Sequence, residues 1–132
     1  MTSPVWRIEP GALDEKLGIT VEEQSAERVV ATMPVSGNTQ SLGRLHGGAS
    51  AALAEAVGSW SALIHASSMG KVCVGVDLNI THHRGTRGTL IRATSTALHL
   101  GKRTATHEIR IEDDLEAHLA TARITNLIID PE

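Results

Sequence analysis

The chain has 132 residues, 41% of them hydrophobic, with a formal net charge of −3. That length suits one domain spanning 1–132 that buries roughly two thirds of its unfolded surface. The weak negative charge excludes the basic footprint of a nucleic-acid binder, and no apolar run approaches the roughly 20 residues that span a bilayer. With Trp6 and Trp60 and no Phe or Tyr, the core is expected to be aliphatic.

In chain order, the start MTSPVWRIEP lacks the basic and apolar regions of a signal peptide, which points to a cytoplasmic protein. Residues 11–17 predict one or two helical turns ended by Gly18. Ile19 to Glu23 and Arg28 to Met33 predict a strand pair, turning at Ser25-Ala26-Glu27 and stopped by Pro34. The polar, glycine-bearing stretch 36–43 is a loop that delivers Gln40 beside the next element. From Gly47-Gly48 to His65 the sequence is Ala- and Leu-rich and free of proline, a long helix. After a break at 67–70, Val72, Val74, Val76, Leu78 and Ile80 alternate with Cys73, Gly75, Asp77 and Asn79, predicting a strand with one buried face. It runs into His82-His83-Arg84, and Gly85-Thr86-Arg87-Gly88 turns the chain. Strands follow over 89–100, 104–112 and 115–129, with turns at 101–103 and Asp113-Asp114. The order β-β-α-β-β-β-β with short connections predicts an α+β domain in which antiparallel neighbours curl around one helix.

That helix carries the chemistry. At 3.6 residues per turn, Ala49, Leu53, Ala56, Val57, Trp60, Leu63 and Ile64 form a stripe to be buried. The opposite stripe is Gly48, Ala51, Ala52, Glu55, Ser59 and Ala62: one carboxylate among side chains with almost no bulk. Glu55 and Ser59, at i and i+4, point the same way. Gly47 and Gly48 expose the first amide N–H groups, where orphan donors and the helix dipole favour a polarised oxygen. Oxyanion donors with a carboxylate further along suit acyl transfer. An equally simple reading makes Gly47-Gly48 a tight turn into the helix and Glu55 a paired buried acid.

The run Leu45-His46-Gly47-Gly48-Ala49-Ser50-Ala51-Ala52-Leu53-Ala54-Glu55, followed by Gly58-Ser59, resembles the signature of bacterial acyl-CoA thioesterases of the PaaI-like hot-dog group. The enterobactin proofreading and dihydroxynaphthoyl-CoA branches are nearest. The resemblance continues through 74–84 and 98–102 and covers residues 10–128. It implies a hot-dog fold and hydrolysis of acyl-CoA, with an aryl-CoA preference and no cofactor beyond the CoA of the substrate. By that resemblance Glu55 is the catalytic carboxylate, acting as nucleophile or as base for a water. The Gly47 N–H holds the thioester oxygen, Gln40 and His46 position the thioester, Ser59 orients water, and His82 lies near the acyl group. Gly48, Arg84, His99, Gly101, Lys102 and Arg103 are assigned to substrate and CoA, with Arg87 at the same turn as Arg84. Homodimers with sites at the subunit interface, paired into tetramers, are implied as well.

The chemistry is compatible with so few groups. A thiol with a pKa near 8.5 leaves without a strong general acid, so one carboxylate and one oxyanion pocket suffice. No G-x-S-x-G occurs to suggest a serine hydrolase. The seven histidines show no zinc or iron spacing, so no metal is expected. A hot-dog hydratase or dehydratase would need an Asp–His pair, and a non-catalytic acyl-CoA sensor would usually carry a DNA-binding segment; neither feature is found. The last long strands are expected to leave exposed edges that a second copy covers.

Overall fold

The structure, a computed structural model, describes residues 7–132; the reading of the N-terminal stretch through Trp6 falls outside the described residues. Period-two alternation decides the sheet. In one strand Ala105, His107, Ile109 and Ile111 are fully buried while Glu108 and Arg110 between them face water. The next buries Ala120, Ala122, Ile124 and Asn126 on the same side. The elements are α1 (Ala12–Leu17), β1 (Thr20–Gln24), β2 (Arg28–Pro34), α2 (Gly47–Ser67), β3 (Val72–His82), β4 (Leu90–Leu100), β5 (Thr104–Asp113) and β6 (His118–Ile129). Gly18, at φ 77°, ends α1 in the left-handed conformation that a Cβ disfavours.

The six strands form one antiparallel sheet in the order β1-β2-β4-β5-β6-β3. Register shifts interrupt four of the five ladders. Such irregularities raise local twist, which lets the sheet curl around α2. The helix packs against β2, β3, β4, β5 and β6. Leu53, Val57 and Trp60 go under it, each burial contributing about 1.5–3 kcal/mol. At Gly58 the helix presses onto the sheet: a Cβ there would come within 2.3 Å of Ile124 Cγ2.

Several expectations need correction. The edges of the sheet are β1 and β3, because β3 covers the outer side of β6; the last strands are internal. The segment between β3 and β4 does not close a hairpin. It carries the chain across the ends of β6 and β5, and seven residues reach across those strand spacings of about 4.8 Å each. The alternation in β3 is broken. Gly75 pairs with Asn126 and Asp77 with Thr125, so Val76 is the extra residue of a bulge. Cys73 and Gly75 face the helix before it, Leu78 and Ile80 pack on the core after it, and Val74 and Val76 are exposed. On α2, Ala62 is fully buried, while Leu63 and Ile64 are only half-buried.

Candidate active site

Two groups of side chains lie along α2, one at its N-terminus and one midway. The first begins with a cap. His46 is the N-cap of α2, and its Nδ1 accepts from the Gly48 N–H at 2.8 Å. The Gly48 amide is therefore not the free donor that the glycine pair suggests. The N–H groups of Ala49 and Ser50 bond the His46 carbonyl. Among the described residues nothing accepts from the Gly47 N–H, so it alone stays available at the positive end of the helix.

Gly47 opens into a cleft of about 410 Å³ lined by Gln40, Arg44, Ser50, His82, Arg84 and Leu119, among others. The His82 ring stands over Gly47, its Nε2 3.2 Å from where a Cβ would sit. Gln40 is held by its own loop, its Oε1 accepting from the Leu42 and Arg44 N–H groups. That leaves its NH₂ as the free donor. Arg44 and Arg84 make the cleft electropositive, and an Arg44 Nη lies 3.7 Å from the Cβ position of Gly85.

His46 and Gly48 face a different, open cavity of about 350 Å³ with Leu13, Leu17, Ala49 and Ala52. His99, Gly101, Lys102 and Arg103 stand at the other end of α2, where His65 Nε2 donates to the Gly101 carbonyl at 2.7 Å. From Gly47 to His65 the helix rises about 27 Å. One chain thus brings Gln40, Gly47, His82 and Arg84 together and leaves the remaining residues elsewhere.

The second group centres on Glu55. The Ser59 hydroxyl donates to its Oε2 at 3.0 Å. The carboxylate lies against the backbone of β3, where a Cβ on Gly75 would be 2.7 Å from Oε2. Glycine at that position is what lets the acid approach the strand. Both side chains are half-buried, and no salt bridge to Glu55 forms among the described residues. Cys73, on the same strand, is not a competing nucleophile, since burial pushes its thiol pKa up to about 11. Beside Gly75 is Asn126, completely buried and with neither amide atom hydrogen-bonded. An unmade bond of that kind costs about 1–3 kcal/mol per group.

Glu55 is eight residues beyond Gly47, about 12 Å along the helix axis. A glutamate side chain leaning toward the N-terminus recovers only part of that length. Both groups must come within about 3 Å of one carbonyl to act on it. In a single chain they do not. Among the described residues no three His, Cys, Asp or Glu side chains cluster to hold a metal ion. No helix there is long and apolar enough to cross a membrane.

The sequence pattern of the thioesterase superfamily matches residues 42–117, which include the Gly47 turn and Glu55. The chain belongs to that superfamily. This thioesterase is 37% identical over 120 residues to the proofreading thioesterase EntH of Cronobacter sakazakii, covering 90% of this chain and 87% of that one. A thioesterase structure from Pseudomonas aeruginosa superposes with a TM-score of 0.84 at 33% identity, over 95% of this chain and 98% of that one. A Staphylococcus aureus thioesterase gives 0.85 at 30% identity, over 92% and 100%. The hot-dog fold and the assignment as a thioester hydrolase follow from these likenesses. The S. aureus protein has been solved with alanine replacing a glutamine at its position 32 and, separately, a glutamate at its position 47. Gln40 and Glu55 of this thioesterase have the same spacing, fifteen residues.

Sequence reading missed Arg44 and Asn126. Arg44 sits in a polar loop and looks like a solvated charge. Asn126 had a legible signal, an amide falling on the inward phase of β6 after Ala120, Ala122 and Ile124.

Proposed function

We propose that this thioesterase hydrolyses acyl-CoA at sites shared by two copies of the chain, each uniting Glu55 and Ser59 of one protomer with Gln40, Gly47 and His82 of its partner. The observation that carries the reading is the separation just described. The free N–H and the carboxylate are each suited to a thioester, and they are too far apart in one chain to meet there. The exposed edge of β3 lies next to Glu55 through Gly75, and an uncovered strand edge invites a second copy. A dimer, or a tetramer of two dimers, then completes the site.

In the reaction the thioester oxygen lies against the Gly47 N–H, with the Gln40 NH₂ beside it. Glu55 delivers the nucleophile to the carbonyl carbon, either as its own oxygen or as a water whose proton it takes. Negative charge collects on the carbonyl oxygen, where the helix dipole favours it. The C–S bond then breaks and the sulfur departs as CoA thiolate, which takes up a proton from solvent; where Glu55 itself attacked, a water opens the resulting anhydride to free the acid and the carboxylate, and where it acted as base it returns the proton to solvent. Arg84 and Arg44 offer charge to the CoA phosphates at the mouth of the cleft. The resemblance to the enterobactin and dihydroxynaphthoyl-CoA branches supports an aryl acyl group as the substrate.

Thiol release from benzoyl-CoA, acetyl-CoA and decanoyl-CoA tests the assignment, comparing wild type with Glu55→Gln. Glutamine keeps the shape but neither attacks nor takes a proton, so kcat is expected to fall at least about a hundredfold with KM and Tm little changed. A Glu55→Gln protein that turns over near the wild-type rate refutes the mechanism. A structural acid would instead leave kcat near the wild-type value and show itself only in Tm.

A further inference from the structure

The amide of Asn126 is buried completely, and neither its Nδ2 nor its Oδ1 has a partner. It stands on the helix-facing side of β6 among Ala122, Ile124 and Ile128, where an aliphatic side chain would avoid that cost. Its neighbours across both ladders are Gly75 on β3 and Ala105 on β5, the smallest side chains available. No side chain larger than a methyl group stands between the amide and its neighbours on either flank, and on the Gly75 side it is Glu55 that fills the room. From the Cβ position over Gly75, Asn126 Oδ1 is 3.7 Å away and Glu55 Oε2 is 2.7 Å away. The two groups approach one point from the two sides of Gly75, which has no side chain to hold them apart. Amide oxygen and nitrogen exchange places by a flip of the side chain, so the NH₂ can be the end that meets the carboxylate. Glu55 has one donor so far, the Ser59 hydroxyl, and an ionised carboxylate accepts several.

We infer that Asn126 is a positioning residue of the active site: its NH₂ donates to the Glu55 carboxylate and fixes the angle at which Glu55 meets the carbonyl carbon. The inference rests on Glu55 being the catalytic carboxylate. It adds a second, sheet-borne donor opposite the helical Ser59, so that the acid is gripped from both sides of the Gly75 gap.

Asn126→Ala and Asn126→Ser, measured for thiol release on the CoA thioester that wild type turns over fastest, decide the matter. The two replacements are nearly equal in size, and only serine carries a donor. Alanine is expected to lower kcat about tenfold, the loss of one hydrogen bond to a charged group, with KM within twofold and Tm no lower than wild type. Serine is expected to restore kcat to within about threefold. Unchanged kcat in both variants overturns the inference, as does equal impairment of both, which would mean the side chain acts by filling space. A variant that fails to fold, or melts well below wild type, makes Asn126 a structural residue and overturns it too. The comparison with Glu55→Gln separates this from the wider reading. If Glu55→Gln is inactive and Asn126→Ala is not impaired, Asn126 alone is misassigned. If Glu55→Gln is active, the mechanism itself fails.

Discussion

A shared site makes a prediction that no single-chain site can match: two inactive variants should rescue each other. The oxyanion half can be disabled cleanly with Gly47→Pro. Gly47 is the first residue of α2, where proline is well tolerated, and its N–H makes no bond within the fold. His46 is already extended, with φ −71° and ψ 125°, as a residue before proline prefers. The ring has to displace only His82, an exposed side chain. Losing one oxyanion donor is expected to cost about 10²–10³ in kcat with little change in Tm. Glu55→Gln disables the other half. In a two-fold dimer each site takes one half from each protomer. Random pairing of equal amounts puts half the molecules into heterodimers, with both lesions in one site and neither in the other. About a quarter of all sites are then intact, and pairing dimers into tetramers leaves that fraction unchanged. Co-expression from two tagged genes followed by thiol release on a CoA thioester gives the readout. Recovery to about a quarter of wild type, from parents at about one per cent or less, is the expected result. A mixture no more active than its parents would place the whole site in one chain and refute the geometric argument.

Arg84→Ala is expected to raise KM for a CoA thioester about five- to tenfold and spare kcat, while a pantetheine thioester, lacking the nucleotide, hardly responds. Gly58→Ala drives a methyl to within 2.3 Å of Ile124 Cγ2. It should destabilise the fold by about 1–2 kcal/mol net of the better helix propensity of alanine, read as a fall of several degrees in Tm. His107 is held below the ordinary imidazole pKa, first by burial, although its Nε2 donates to the Ala26 carbonyl at 2.8 Å. The unfolded chain therefore binds a proton that the folded one refuses. Stability contributed by this group is present above about pH 6.5 and falls as pH drops below it. His107→Gln, which keeps a donor for Ala26, should flatten that part of the Tm-against-pH curve.

What was legible in the sequence depended on whether a periodicity ran unbroken. β5, and β6 from Ala120 onward, keep strict alternation toward the helix, and their buried residues could be read directly. β3 defeated the same reasoning because one extra residue, Val76, reverses the phase halfway along. Valines at 72, 74 and 76 look like the start of a buried face, yet two of them are exposed and Cys73 and Gly75 point inward. A glycine inside a strand is the available warning of a bulge or a close approach, and here Gly75 signals both. The neighbours of β3 were hidden for another reason: a short connection suggests a hairpin, and nothing local shows that this one crosses the end of the sheet.

The site divides in the same way. Glu55 and Ser59 were readable because i, i+4 spacing on a helix fixes their contact without help from the rest of the fold. The helix start was half readable. Glycines imply accessible amides, but histidine is not among the usual capping residues, so the claim of His46 on Gly48 left no trace in the pattern. The 12 Å between the two functional halves was in plain view, being eight residues times the helical rise. Its meaning appears only when the cleft around Gly47 is seen to exclude Glu55. An acid and an oxyanion donor on one rigid helix keep their distance whatever the side chains do. In the proposed mechanism a second helix brings the missing half, and that is why assembly is part of it.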